Sequence, residues 1–172
     1  MTVKNYLKLE FPSQAENIAL ARVAVAAFAS QLDFTLPDLD DIRVAVSEAV
    51  TNVVVHAYAN AGPGSPGSPG SQGSQGSHGG HGGHGGPGKV FVEAEIGEDR
   101  VLTVRIADQG VGIADLEAAR TAAGQGSGEH LGIGFSVMES CMDTLNVESE
   151  SGRGTIVHLT KRAAGLPDGD QS

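Results

Sequence analysis

The sequence predicts an α/β two-layer sandwich in which a mostly antiparallel, mixed sheet carries its helices on one face. Three observations carry this prediction. Segments with polar–apolar alternation stand at both ends and in the middle of the chain, two segments with three-four apolar spacing follow one another near the start, and the later strands pair through short glycine-containing turns. Helices grouped against a largely antiparallel sheet have one stable solution, a layer of helices on a layer of strands.

The first strand is predicted over Thr2 to Phe11, where Val3, Tyr6 or Leu7, and Leu9 alternate with polar residues before Pro12. Ser13 and Glu16 have the spacing of a capping box, and Ile18, Ala21, Val25, Phe28 and Leu32 then step by three and four, predicting a helix over about 14–32. Pro37 opens a second helix, with Asp38, Asp40 and Asp41 in the first turn, where the helix dipole favours negative charge. Its apolar stripe is Leu39, Ile42, Val46, Ala49 and Val53. Its other face carries Glu48 and Asn52, one turn apart and therefore stacked. Alone, such a pair reads either as a solvated face or as chemistry. His56 and Tyr58 extend this helix as packing or capping residues.

From Ala61 to Gly88 the chain is built of GSP, GSQ and HGG triplets holding 13 of its 25 glycines and no Asp, Glu, Lys or Arg. Such composition offers no apolar surface to offset ordering entropy, so it predicts a flexible inserted coil. His78, His81 and His84 within it read as low complexity, the alternative being a loose transition-metal site without fixed geometry. Lys89 to Ile96 and Arg100 to Ala107 form a predicted hairpin turning at Gly97 to Asp99. Gly110 and Gly112 follow as a turn or as a place where backbone approaches a ligand. After a short helix around Leu116 to Arg120, Ala122 to Gly128 is a candidate mobile lid. Gly132 and Gly134 open a helix on which Ile133, Val137 and Cys141 share a face, Cys141 being read as a small core residue. The unpaired N–H groups of such a start suit phosphate. Asn146 to Ser149 and Thr155 to Thr160 close the chain as a hairpin around Gly152–Gly154, with His158 on the polar face of the sheet.

The 172 residues fit one domain, since a single core serves chains up to about 250 residues. It is placed at residues 1–162, interrupted by 61–88 and followed by a disordered tail at 163–172. A net charge of −10 repels phosphate backbones, which argues against nucleic acid as a direct partner and for a basic protein surface. One cysteine, no apolar leader and no run of 18 apolar residues predict a soluble cytoplasmic protein with no membrane contact.

In order and spacing, Ser47-Glu48-Ala49-Val50-Thr51-Asn52, Asp108-Gln109-Gly110-Val111-Gly112, Gly132-Ile133-Gly134-Phe135 and Gly152-Arg153-Gly154-Thr155 resemble the Bergerat-fold (GHKL) ATPases, the superfamily of gyrase B, histidine kinases and MutL. The stretches ARVAVAAFASQLD, VSEAVTNVVVHAY, LTVRIADQGVGI and GIGFSVMESCMDTLNVESESGRGT narrow the resemblance to the bacterial sporulation anti-sigma F factors, small serine kinases, over residues 3 to 161 apart from the insertion.

The resemblance implies ATP and Mg²⁺ as cofactors. It implies Glu48 as the base that accepts the proton of the attacking hydroxyl, Asn52 as the Mg²⁺ ligand, and Asp108 as acceptor for the adenine amino group. Gly110 and Gly112 give the base room, Gly132 and Gly134 bring backbone N–H groups onto the phosphates, and Thr155 closes the adenine pocket. Implied partners are the sporulation sigma factor F, an anti-anti-sigma factor phosphorylated on serine, and a second copy in a homodimer. At the lid position matching the family's phosphate-anchoring arginine stands His130, and Arg120 is the candidate to substitute for it. An imidazole is a poorer phosphate anchor than a permanent guanidinium. Rival readings are a nucleotide-dependent anti-sigma binder with weak or no kinase activity, the general-stress anti-sigma B kinase and, last, a histidine-kinase fragment.

Overall fold

The computed structural model describes residues 3–58, 88–121 and 131–164. The predicted coil with its three histidines (apart from Gly88), the lid at 122–128 and His130 lie outside the described residues. The observed order is β1 (Val3–Pro12), α1 (Glu16–Ala29), α2 (Leu36–Asn52), a π-helical turn (Val53–Ala57), β2 (Lys89–Gly97), β3 (Val101–Asp108), α3 (Leu116–Thr121), α4 (Leu131–Cys141), β4 (Thr144–Glu150) and β5 (Gly154–Arg162). The five strands form one sheet in the order β1-β2-β3-β5-β4. The predicted sheet was mixed, but every pairing here is antiparallel.

Period-two alternation divides the sheet into two faces. Val90, Val92, Ala94 and Ile96 of β2 and Leu102, Val104 and Ile106 of β3 are buried, and the registers continue that face to Val157 and Leu159 of β5. In β1 the inward set is Leu7, Leu9 and Phe11, whereas Tyr6 is 62% exposed. On the other face His158 lies with Glu93, Glu95, Thr103 and Arg105, as its polar-face reading expects.

The capping box predicted at Ser13 is absent. Residue Ala15 occupies the cap without a side-chain hydrogen bond, and the buried Ser13 Oγ has no partner. The Ser13 amide donates to the Gly88 carbonyl at 2.6 Å, which extends the β1–β2 pairing one step and delays the helix. The helix also ends earlier than predicted, at Ala29. A capping box does start α2: the Thr35 amide donates to Asp38 Oδ2 at 3.0 Å and the Asp38 amide to Thr35 Oγ1 at 3.3 Å. These bonds, with Thr35 hydroxyl first among them, hold the Asp38 carboxyl below the usual carboxylate range.

Of the predicted stripe, Ile42, Val46 and Ala49 of α2 and Val53 of the π-helical turn are buried, and Leu39 is partly buried. In α4 the inward residues are Phe135 and Met138, continued by Met142 just past its end, not the face of Ile133, Val137 and Cys141. Ile133 is 54% exposed and Cys141 only partly buried, because three-four spacing in a helix apolar on several sides leaves two candidate faces and contact with α2 selects one.

Two boundaries move inward. Gly88, placed in the coil, is buried against the Tyr58 ring. Ala163, placed in the tail, is buried and donates to the Arg100 carbonyl at 3.0 Å. Among the described residues no helix is long and apolar enough to cross a membrane.

Candidate functional site

A cleft open to solvent lies between α2, α4 and the ends of β3 and β5. Four of the residues singled out from the sequence, Asn52, Asp108, Gly112 and Thr155, line it. Ala49, Val53, Ile106, Phe135 and Val157 supply apolar walls, and His56 also lines it. The result is an apolar slot with few polar groups, the usual character of a small-molecule site.

Asp108 sits at the end of β3 and is 6% exposed. Its Oδ1 accepts from the Gly110 amide at 2.8 Å. Burial pushes its carboxyl above the usual range, and backbone donors from Gly110 and Thr155 pull partly back. A buried carboxyl with acceptor capacity left over is suited to a ligand that brings its own N–H.

The glycines around it are required by close backbone passage. A Cβ on Gly154, at φ +92°, would overlap the Asp108 carbonyl, and one on Gly112, at φ +69°, the Glu150 carbonyl. Gly110 does not line the cleft. It packs on Ala57, whose carbonyl accepts from the Val111 amide at 2.8 Å.

The second half of the site is where α4 begins. A Cβ at Gly134 would stand 3.2 Å from Glu48 Oε2 and 3.3 Å from Asn52 Oδ1, so the glycine start of α4 rests on the carboxylate–amide pair of α2. Glu48 is partly exposed, whereas Asn52 Nδ2 is buried with no hydrogen-bond partner. A buried unpaired amide costs ~1–3 kcal/mol. Since the two ends of an amide exchange by a flip, Asn52 holds a polar atom in reserve for something in the cleft. Gly132 is buried, does not line the cleft, and its carbonyl accepts from Ser136 Oγ at 3.3 Å.

Arg120 is not brought to this point. Its guanidinium lies against Glu139 at 3.2 Å, and it does not line the cleft.

Three functional contributors were not legible in sequence. The π-helical turn carries His56 to the cleft and Ala57 to the β3 loop. Tyr58, 5% exposed, donates to the Lys89 carbonyl at 2.7 Å and accepts from the Gln109 amide at 3.1 Å, tying β2 to the loop after Asp108. Burial raises its phenol above the ordinary value. Ser149 bonds both Ile113 and Thr155. A polar residue on a half-exposed strand carries no local signal of such contacts.

The family model for the histidine kinase-like ATPase domain matches residues 11–66 and 78–161. A protein named Anti-sigma F factor from Clostridium acetobutylicum is 39% identical over 168 residues, covering 96% of this chain and 99% of that one. Another of that name from Pasteuria penetrans is 41% identical over 161 residues, covering 92% and 91%. Among solved structures, the RsbU and RsbW domains of a Mycobacterium tuberculosis protein superpose with a TM-score of 0.59 at 16% identity, covering 95% of this chain and 34% of that one. This chain thus spans about a third of that structure's length, and the likeness is one of fold.

Proposed function

Because the chain belongs to the anti-sigma F factors, within the histidine kinase-like ATPase domain family, we propose that it binds Mg·ATP in the cleft, phosphorylates a serine of an anti-anti-sigma protein, and holds sporulation sigma factor F inactive. The observation that carries this reading is a cleft lined by both Asn52 and the buried Asp108, with Gly134 of α4 set so close to Asn52 and Glu48 that a Cβ there would crowd both. Phosphoryl transfer needs mainly positioning and charge neutralisation, and this arrangement addresses base, phosphates and nucleophile together.

In this reading Asp108 accepts from the adenine amino group and Thr155 closes the pocket beside it. Gly112 keeps the backbone clear of the base, and Gly110 acts one step behind it by letting the loop pack on Ala57. The N–H groups at the start of α4, around Gly132 and Gly134, face the phosphates. Glu48 accepts the proton of the incoming serine hydroxyl, which sharpens its attack on the γ-phosphorus.

The donor set fits a hard cation once the Asn52 amide is turned so that its oxygen takes the place of the unpartnered Nδ2, next to the Glu48 carboxylate. When bound, Mg²⁺ neutralises phosphate charge, and Asn52 is the residue that would hold it.

The net charge of −10 supports association with a basic, DNA-binding sigma factor. The names of the similar proteins favour sigma F over the general-stress factor. We include a homodimer and a cytoplasmic location in the proposal, and a single domain broken by the insertion. The family match is itself interrupted at residues 67–77, inside the glycine-rich stretch.

The test is transfer of labelled γ-phosphate from Mg·ATP to the anti-anti-sigma protein, with Glu48→Ala beside the unaltered chain. Transfer that vanishes in the variant is expected, and transfer that persists at full rate would refute the role of Glu48. A second reading is favoured by one observation, the pairing of Arg120 with Glu139, which leaves His130 as the family-matched lid anchor. On that reading the chain holds sigma in an ATP-dependent way but leaves the serine unmodified.

A further inference from the structure

We propose that Ser149 sets the base preference of the cleft by fixing the Thr155 hydroxyl as a hydrogen-bond acceptor toward the ligand; this rests on the nucleotide reading above. Ser149 does not line the cleft. It lies on β4 directly opposite Thr155 of β5, and its Oγ has three neighbours. The Ile113 amide donates to it at 2.7 Å, it reaches the Gly154 carbonyl at 3.1 Å, and Thr155 Oγ1 lies at 2.9 Å.

A hydroxyl has one hydrogen and two lone pairs, and here the bookkeeping closes. The Gly154 carbonyl can only accept, so it takes the Ser149 hydrogen. The Ile113 amide can only donate, so it occupies one lone pair. What remains for Thr155 is the second lone pair, and Thr155 must therefore supply its own hydrogen to Ser149. Its oxygen then offers only lone pairs to the cleft that it lines together with Asp108.

The wall that meets the base thus accepts at two places. It rewards a purine with an amino group at C6 and opposes a 6-oxopurine, whose carbonyl oxygen would face acceptors. Sites built to bond a ligand's donor reject analogues lacking it far more strongly than apolar walls reject a change of size. Ser149 is a positioning residue in this scheme, acting through Thr155.

The experiment measures equilibrium binding of ATP and of inosine triphosphate to the full chain and to Ser149→Ala, Ser149→Thr, Thr155→Val and the Ser149→Ala/Thr155→Val double variant. Removing Ser149 releases the Thr155 hydrogen to turn into the cleft and donate to a 6-oxo group. The preference for ATP over inosine triphosphate is expected to fall about tenfold in Ser149→Ala, the worth of one hydrogen bond. It should persist in Ser149→Thr, which keeps the hydroxyl. In the Thr155→Val background, Ser149→Ala should leave the ratio as it stands. Equal losses for both nucleotides in Ser149→Ala would show that Ser149 merely braces the strands, and would overturn the proposal. Thr155→Val supplies a second reading should Ser149→Ala not fold: preference must fall there too, and an unaltered ratio overturns the proposal. Failure of the unaltered chain to bind ATP would remove the nucleotide reading itself, and this proposal with it.

Discussion

Replacing Gly134 by alanine should separate stability from activity. Alanine is favoured over glycine inside a helix by ~0.8–1.0 kcal/mol. Against this, the new methyl would stand 3.2 Å from Glu48 Oε2, 3.3 Å from Asn52 Oδ1 and 3.4 Å from Asn52 Nδ2, so both side chains must retreat by a few tenths of an ångström. Overpacking in a rigid core costs ~1–3 kcal/mol. Here the neighbours are side-chain ends on partly exposed residues, which turn more easily than backbone. The two terms nearly cancel, and the net change in stability should stay within about 1 kcal/mol, a Tm shift of ~2–4 °C at this chain length. Function has no such compensation. The methyl displaces the proposed base and the proposed metal-ordering amide together, and small misplacements of reacting groups cost up to ~100-fold in rate. We expect γ-phosphate transfer to fall at least about tenfold while the melting curve barely moves, checked by thermal denaturation beside initial rates. A variant with unaltered stability and unaltered turnover would refute the placement of the chemistry between α2 and α4.

Gly152 and Gly154 are both in the left-handed region, at φ +79° and +92°, yet should respond differently. At Gly152 a Cβ meets nothing, so Gly152→Ala should cost only the ~1–2 kcal/mol of a left-handed residue, whereas Gly154→Ala also drives into the Asp108 carbonyl and should cost more and abolish ATP binding; urea denaturation of both variants checks the order. Lys161 is 8% exposed and its Nζ donates to the Cys141 carbonyl at 2.7 Å and to Asp41 at 3.1 Å, bolting the end of α4 to the start of α2. Lys161→Met should lower stability by ~1–3 kcal/mol, chiefly through the orphaned Cys141 carbonyl, since Asp41 is exposed enough to be rehydrated, measured by the urea midpoint. Asp108 is held above its ordinary value by burial, so in the interval just above the unfolded value its folded form keeps a proton that the unfolded chain has already released. Its contribution to stability is therefore complete below the unfolded value, near pH 4, and is lost as pH rises through the raised folded value. Asp108→Asn, which stays neutral, should gain stability relative to the unaltered chain as pH rises above about 4 while losing ATP binding. A stability difference independent of pH would contradict the sign.

Periodicity was enough to place the strands and helices, because alternation in Lys89–Ile96 and three-four spacing in Ile42–Val53 are properties of neighbouring residues that any packing must respect. Motif order pointed to the nucleotide reading for the same reason: Glu48 and Asn52 are one turn apart on a single helix whatever surrounds them. What tertiary structure decided are the relations between segments distant in sequence. The Ser13 signal yielded to pairing with Gly88, 75 residues away, and the inward face of α4 was chosen by contact with α2. Only the fold could press Gly134 onto Glu48, carry His56 to the cleft on a widened turn, bury Lys161 between two helix ends and turn Arg120 toward Glu139. Local geometry is written in bonded neighbours. The polarity of a site, down to which way the Thr155 hydrogen points, depends on donors and acceptors that the chain brings together only once it has folded.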